Sequence, residues 1–206
     1  MMTSEVLART DLDLVCIDAE HSPFDRSDID SSVLAFRSAG MASFVRTQSS
    51  APEQLLNALD CGATGVVVPH VHSAAKAKEI AKASRFGDGG RGYAGSTRAA
   101  NYTGNTVSQN LDNNLSNVVI AQIEDISALS EIDDIACVEG IDCLFIGMMD
   151  LTVALGCQSA KDKPVVDAAL QVCAAANKVN RRTGIFVSDL NDVPYWRDKG
   201  VSLFLL

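Results

Sequence analysis

The sequence predicts an α/β protein of the (β/α)8 TIM-type barrel class, with the first strand and the C-terminal helices of such a barrel lacking from this chain. Three observations predict it. Short apolar, β-branched runs alternate with amphipathic segments of helical length, the pattern of repeated βα units. The runs are continuously apolar rather than alternating, as strands of a parallel sheet covered on both faces are. Polar residues gather just after successive runs, and barrel enzymes collect their chemistry at the C-terminal ends of their strands. An open doubly wound sheet is the other architecture for repeated βα units. No glycine-rich dinucleotide fingerprint follows the first run, so that alternative loses its main support.

The strand runs are Leu14–Ile17, Ser43–Val45, Gly65–Val68, Val118–Ile123, Cys143–Ile146, Gly184–Val187 and Val201–Leu206. A short helix is expected before the first run, over Glu5–Arg9. Ser50-Ala51-Pro52-Glu53 reads as a capping box with proline at the helix start, and the helix carries Leu55, Leu56 and Leu59 to a stop at Gly62. Another helix begins near Pro164 and places Val165, Val166, Ala169, Leu170 and Cys173 on one face, while Ser73 and Ser127 read as further N-caps. Gly87–Asn117 reads as a long Gly/Asn/Ser-rich connection of the kind that forms lids or subunit contacts. Seven runs are one short of the eight strands of a barrel. The first and last runs are therefore expected to flank a gap rather than to pair with each other.

With 206 residues, the chain is long enough for one domain with a sizeable core, and we read residues 1–206 as one domain. The 47% hydrophobic and 21% charged composition excludes wholesale disorder. A net charge of −9 argues against nucleic-acid binding, which needs clustered Lys and Arg. No basic segment leads into an apolar stretch at the N-terminus, and no apolar run approaches the ~20 residues of a membrane span. The six cysteines contain no C-x-x-C pair and read as reduced thiols, which points to the cytoplasm.

Five groups of residues are candidates for chemistry. Asp18, three before His21 at a strand end, can hold the imidazole in one tautomer, or the two can be a helix cap and a surface histidine. Glu124 and Asp150 each follow a strand, and a pair of carboxylates with open positions suits a hard divalent ion such as Mg²⁺ or Mn²⁺. Arg46 ends the second run, where it meets either an anionic substrate or a neighbouring acid such as Asp18. His70-Val71-His72 invites a zinc reading, but no cysteine is near and His72 directly precedes a helix cap, so zinc is not favoured. Gly89-Gly90-Arg91-Gly92 lacks the preceding strand and following helix of a phosphate loop.

The segments IDAEH, FVR, LLNALDCGATGVVVPHV, GGRGYAGSTRAANY, AQIED and VEGIDCLFIGMMDLTVALG resemble the HpcH/HpaI aldolase family. Its members are metal-dependent, class II pyruvate aldolases within the citrate lyase β-subunit-like superfamily. The resemblance runs from about residue 11 to the end, and D-x-E-H with the paired Q-I-E and G-x-x-D-L segments is its most specific part. It implies that Glu124 and Asp150 bind Mg²⁺, Mn²⁺ or Co²⁺. It implies that His21, oriented by Asp18, serves the proton transfers, and that Arg46 holds the enolate oxygen and carboxylate of pyruvate. Gln122 would line the same pocket, with backbone N–H groups beside Gly147, Met148 and Met149 meeting the substrate carboxylate. The family's usual Gly-Pro-Ala-Asp-Leu stands here as Gly147-Met148-Met149-Asp150-Leu151. The resemblance also implies a homo-oligomer, a hexamer or trimer.

The function expected from these residues is retro-aldol cleavage of a 4-hydroxy-2-oxo acid to pyruvate and an aldehyde. The small 2-oxo acid is then the one partner expected besides further copies of the chain. No lysine stands at a strand end to form a Schiff base, since Lys76, Lys78 and Lys82 fall on a helix after the third run. Two alternatives stay open: a lyase or hydrolase of CoA thioesters using the same acids, and a non-catalytic binding protein derived from the family.

Overall fold

The computed structural model describes residues 2–206. In chain order its elements are α1 (Met2–Leu7), β1 (Leu14–Asp18), α2 (Arg26–Ser38), β2 (Ala42–Arg46), α3 (Pro52–Asp60), β3 (Gly65–Val68), α4 (Ala74–Ala83) and α5 (Val107–Leu115). There follow β4 (Val118–Ile123), α6 (Ile126–Ser130), α7 (Ile132–Ala136), β5 (Cys143–Ile146), α8 (Met148–Ala154), α9 (Lys163–Lys178), β6 (Arg182–Phe186), α10 (Val193–Arg197) and β7 (Val201–Leu205). The strand order is β1-β2-β3-β4-β5-β6-β7, and β1 with β2, β2 with β3, β4 with β5, β5 with β6 and β6 with β7 pair parallel. Strand order equal to sequence order is the order of a (β/α) barrel, each helical crossover adding its strand on the same side. β1 and β7 are the two ends of this order.

The described residues group into two compact units: the chain up to Val68 with Lys82–Val119, and Pro69–Ala81 with Ile120–Leu206. In the first, β1 and β2 run in register from Leu14↔Ala42 to Asp18↔Arg46, which brings the two charged strand ends side by side. Every residue of β3 is buried, as a strand covered on both faces requires. In the second unit β5 is likewise wholly buried, and α9 packs over the sheet with Val165, Ala169, Val172, Cys173 and Ala176. Burying a valine such as Val165 or Val172 contributes about 1.5–3 kcal/mol. No described helix is long and apolar enough to cross a membrane. All six cysteines are free, and burial lifts the Cys143 thiol to about 12 and those of Cys16 and Cys173 to about 11, so these three are inert at neutral pH.

Several local expectations change. The cap of α3 is Ala51, not Ser50, and its side chain makes no capping bond; Pro52 sets φ for the first turn, and that suffices to start the helix. Ser127 lies inside α6, which starts after Asp125, whereas Ser73 does cap α4 by accepting the Lys76 N–H at 3.2 Å. The opening helix spans Met2–Leu7 rather than Glu5–Arg9.

The Gly87–Asn117 connection contains α5, whose VSQNLDNNL sequence has weak helical propensity. Its signal is a capping box: Thr106 Oγ1 accepts the Gln109 N–H at 3.2 Å and Gln109 Oε1 accepts the Thr106 N–H at 2.8 Å. Thr106→Ala is expected to cost about 1 kcal/mol in urea denaturation. An unchanged midpoint would mean that the buried Asn110–Asn114 face alone holds the helix. Arg98 ties the same segment to α2, donating to Asp30 at 2.6 and 3.0 Å and to the Cys61 carbonyl at 2.7 Å.

Candidate active site

In the first unit, the ends of β1 and β2 build a charged cluster. Arg46 Nε and Nη2 donate to the two oxygens of Asp18 at 2.9 and 2.6 Å, a forked pair that follows from the Asp18↔Arg46 register. Asp18 Oδ1 also accepts the backbone N–H groups of Glu20 and His21 at 3.1 and 3.2 Å, which folds the chain back over the strand end. Partial burial by itself would raise the Asp18 pKa, but the Arg46 bonds and these N–H groups outweigh it and hold the carboxyl below its ordinary value. Arg46 is therefore paired with the neighbouring acid, the second of the two partners open to it. Its Nη1 makes no hydrogen bond among the described residues.

The expected Asp18–His21 arrangement differs in one respect. Asp18 reaches the histidine through its backbone N–H, and its oxygens are committed to Arg46, so it does not hold the ring. The carboxylate nearest the imidazole is Glu20, with Oε2 at 3.7 Å from Nε2, and the ring is largely exposed. Glu20 Oε2 also lies 3.5 Å from Arg46 Nε. Glu20, the glutamate of the D-x-E-H segment, was given no role from sequence, and its spacing of two from Asp18 was the available signal.

In the second unit, Glu124 stands one residue past β4 and is 3% exposed. His70 N–H donates to its Oε1 at 2.8 Å and Gln122 Nε2 donates to its Oε2. The His70 Nδ1 lies 3.3 Å from both Glu124 Oε1 and Asp125 Oδ2. His70 adopts φ +55°, a left-handed conformation that aims its N–H at the carboxylate. Burial drives the Glu124 pKa up, the His70 and Gln122 bonds pull it back, and the charge of Asp150 pushes it up again, leaving it raised. Asp150 is exposed in the first turn of α8. His70 and Glu124 offer ligand atoms within 4.8 Å of each other, and His72 is not part of the group. The pairing of His70 with Glu124 and Asp125 was invisible in sequence, because it depends on two strand ends meeting.

Gly147 caps α8 and closes over Glu124. A Cβ there would stand 2.6 Å from Glu124 Cβ and 2.9 Å from its Oε2, so the position needs glycine for close approach. Met148 is half-buried and Met149 is exposed. Gly147→Ala is expected to cost about 1–3 kcal/mol in urea denaturation by forcing Glu124 aside. A variant as stable as the parent would show that the Glu124 side chain moves freely.

Donor chemistry decides what this second cluster can hold. Glu124 and Asp150 supply hard anionic oxygens, their mutual repulsion is what a divalent cation relieves, and Gln122 Oε1 is a buried acceptor with no partner among the described residues. These residues fit a divalent metal.

Comparison with known proteins follows the same lines. The model of the HpcH/HpaI aldolase/citrate lyase family matches residues 2–204. A hydroxypyruvate/pyruvate aldolase of Paraburkholderia phytofirmans is 34% identical over 211 residues, covering 98% of this chain and 81% of that protein. A 5-keto-4-deoxy-D-glucarate aldolase of Shigella boydii is 30% identical over 171 residues, covering 82% of this chain and 66% of that protein. The crystal structure of an HpcH/HpaI aldolase/citrate lyase family protein from Burkholderia cenocepacia superposes with a TM-score of 0.92 at 32% identity, covering 98% of this chain and 82% of that one.

Proposed function

The chain belongs to the HpcH/HpaI aldolase/citrate lyase family, and on that premise we propose that it is a metal-dependent carbon–carbon lyase cleaving a 4-hydroxy-2-oxo acid to pyruvate and an aldehyde. Membership of an aldolase and lyase family makes it an enzyme; the metal, the substrate and the residue roles are our reading. The observation that carries the reading is the buried Glu124 carboxylate, held at both oxygens and within the electrostatic reach of a second acid, Asp150.

Glu124 and Asp150 would hold the divalent ion, Mg²⁺, Mn²⁺ or Co²⁺, with Gln122 beside them, and an ion held there would supply Lewis-acid polarisation of the 2-oxo group. Arg46 keeps its Nε and Nη2 on Asp18 and turns Nη1 to the substrate oxygen on which negative charge develops. Asp18 is thereby a positioning residue for Arg46. His21 takes the proton of the 4-hydroxyl as the C3–C4 bond breaks and the aldehyde leaves; the bonding pair becomes the C2–C3 double bond of the pyruvate enolate, and the proton held on His21 then passes to C3 to give pyruvate. Backbone N–H groups at Gly147, Met148 and Met149 receive the substrate carboxylate. Support comes from placement: Asp18 and Arg46 end β1 and β2, and Glu124 and Gly147 follow β4 and β5, all at C-terminal strand ends.

The test is metal removal. Chelated protein is expected to release no pyruvate from a 4-hydroxy-2-oxo acid and to regain turnover on addition of Mg²⁺, Mn²⁺ or Co²⁺. Turnover that survives exhaustive EDTA would overturn the metal assignment. Tight metal binding without turnover on any 2-oxo acid would favour the thioester reading, and neither binding nor turnover a non-catalytic protein.

A further inference from the structure

Arg91 is 5% exposed, in the first unit and remote in sequence from the strand-end residues above. Its guanidinium stacks on Phe86, with Cζ 4.1 Å from the ring centroid, and its backbone N–H donates to Arg85 O at 2.7 Å. Among the described residues the side chain makes no ion pair, and its Nε and Nη1 are buried without a hydrogen-bond partner. A buried cation in that state is costly, because its charge has no ion-pair partner and two of its donor nitrogens have no acceptor. Beside it lies a cavity of about 30 Å³ lined by Phe86, Arg91, Ala99, Ala100, Asn110 and Asn114. Asn114, 4% exposed, has its own Oδ1 buried and unpartnered.

We propose that this cavity is an anion site, in which Arg91 holds a monatomic anion of chloride size. The volume selects the ligand class. About 10–15 Å³ of such space admits a water-sized particle, so 30 Å³ has room for a single ion of chloride size. Charge selects the sign. The charges that act on Arg91 are Asp60, which attracts but makes no ion pair with it, and Arg85, which adds a second positive field. Burial lowers the Arg91 pKa to about 10, so the group is still charged at neutral pH and still needs a counter-charge. A water molecule would satisfy the two N–H groups and leave the charge bare; an anion answers both. Asn114 completes the site by turning its carboxamide, a twofold torsion, so that Nδ2 rather than Oδ1 faces the anion. The ion then joins the Phe86–Arg91 turn to α5, the two parts of the 87–117 segment.

The experiment is thermal unfolding of the full chain in sodium chloride against sodium gluconate at equal ionic strength. Chloride is expected to raise the midpoint saturably, on the order of 5 °C, since a ligand bound only to the native state stabilises it by mass action. Arg91→Met removes the charge, and Asn114→Asp puts a carboxylate of the chain's own into the cavity; both are expected to abolish the chloride-specific rise. Asn114→Asp keeps the test open if Arg91→Met does not fold, because it supplies Arg91 with a counter-charge. Equal midpoints in chloride and gluconate for the parent protein would overturn the proposal and leave water as the occupant. A rise that persists in Asn114→Asp would overturn it too, by placing the effect elsewhere.

Discussion

Glu124→Gln is expected to lower retro-aldol turnover by about 10³-fold while the protein stays folded. Removing the anionic oxygen takes away the metal's buried ligand, and Lewis-acid stabilisation of developing charge is worth several kcal/mol, each 1.36 kcal/mol being tenfold in rate. The fold survives because burial already disfavours the Glu124 charge, and Gln keeps the shape and an oxygen to accept the His70 N–H. Three measurements check it: kcat at saturating metal, Mn²⁺ affinity by titration, and the urea midpoint. Asp150→Asn is expected to act in the same direction, since Asp150 is the second anionic oxygen. Full activity in either variant would remove that residue from the metal set.

Arg46→Lys is expected to reduce pyruvate enolisation by about 10²-fold, read as deuterium exchange of the methyl group, with a stability change of no more than about 1 kcal/mol. The asymmetry follows from geometry. Arg46 spans both oxygens of Asp18 and still has Nη1 to offer, whereas an ammonium that pairs with Asp18 has no fixed third donor. The ion pair is partly solvated, at 24% and 31% side-chain exposure, so its loss costs little in folding. Parental exchange in the Arg46→Lys variant would make the Asp18–Arg46 pair purely structural.

Seven strands were legible in the sequence within one or two residues, because each is a short β-branched apolar run and a covered parallel strand needs no other signal. The strand-end positions of Asp18, Arg46, Glu124 and Asp150 were legible for the same reason: once the strands are placed, the residues that follow them are placed. α5 was not, since its sequence is rich in Asn and its stability rests on a capping box and on buried Asn110 and Asn114 rather than on an apolar stripe. The cap of α3 was misplaced by one residue, because proline restricts φ without any side-chain bond to mark the cap.

What the sequence by itself determined is the order of βα units, the family and the acids and bases that stand at strand ends. These depend on periodicity and on neighbours in the chain. Only the tertiary structure decided which of those groups bond to which. Asp18 spends its oxygens on Arg46 and leaves the His21 ring to Glu20, because the β1–β2 register sets Asp18 opposite Arg46. His70 meets Glu124 because a left-handed turn after β3 aims its N–H there across 54 residues of chain. The unpaired Arg91 beside its cavity belongs to the same class of fact, since an unsatisfied donor is defined by everything that packs around it and no local pattern encodes it.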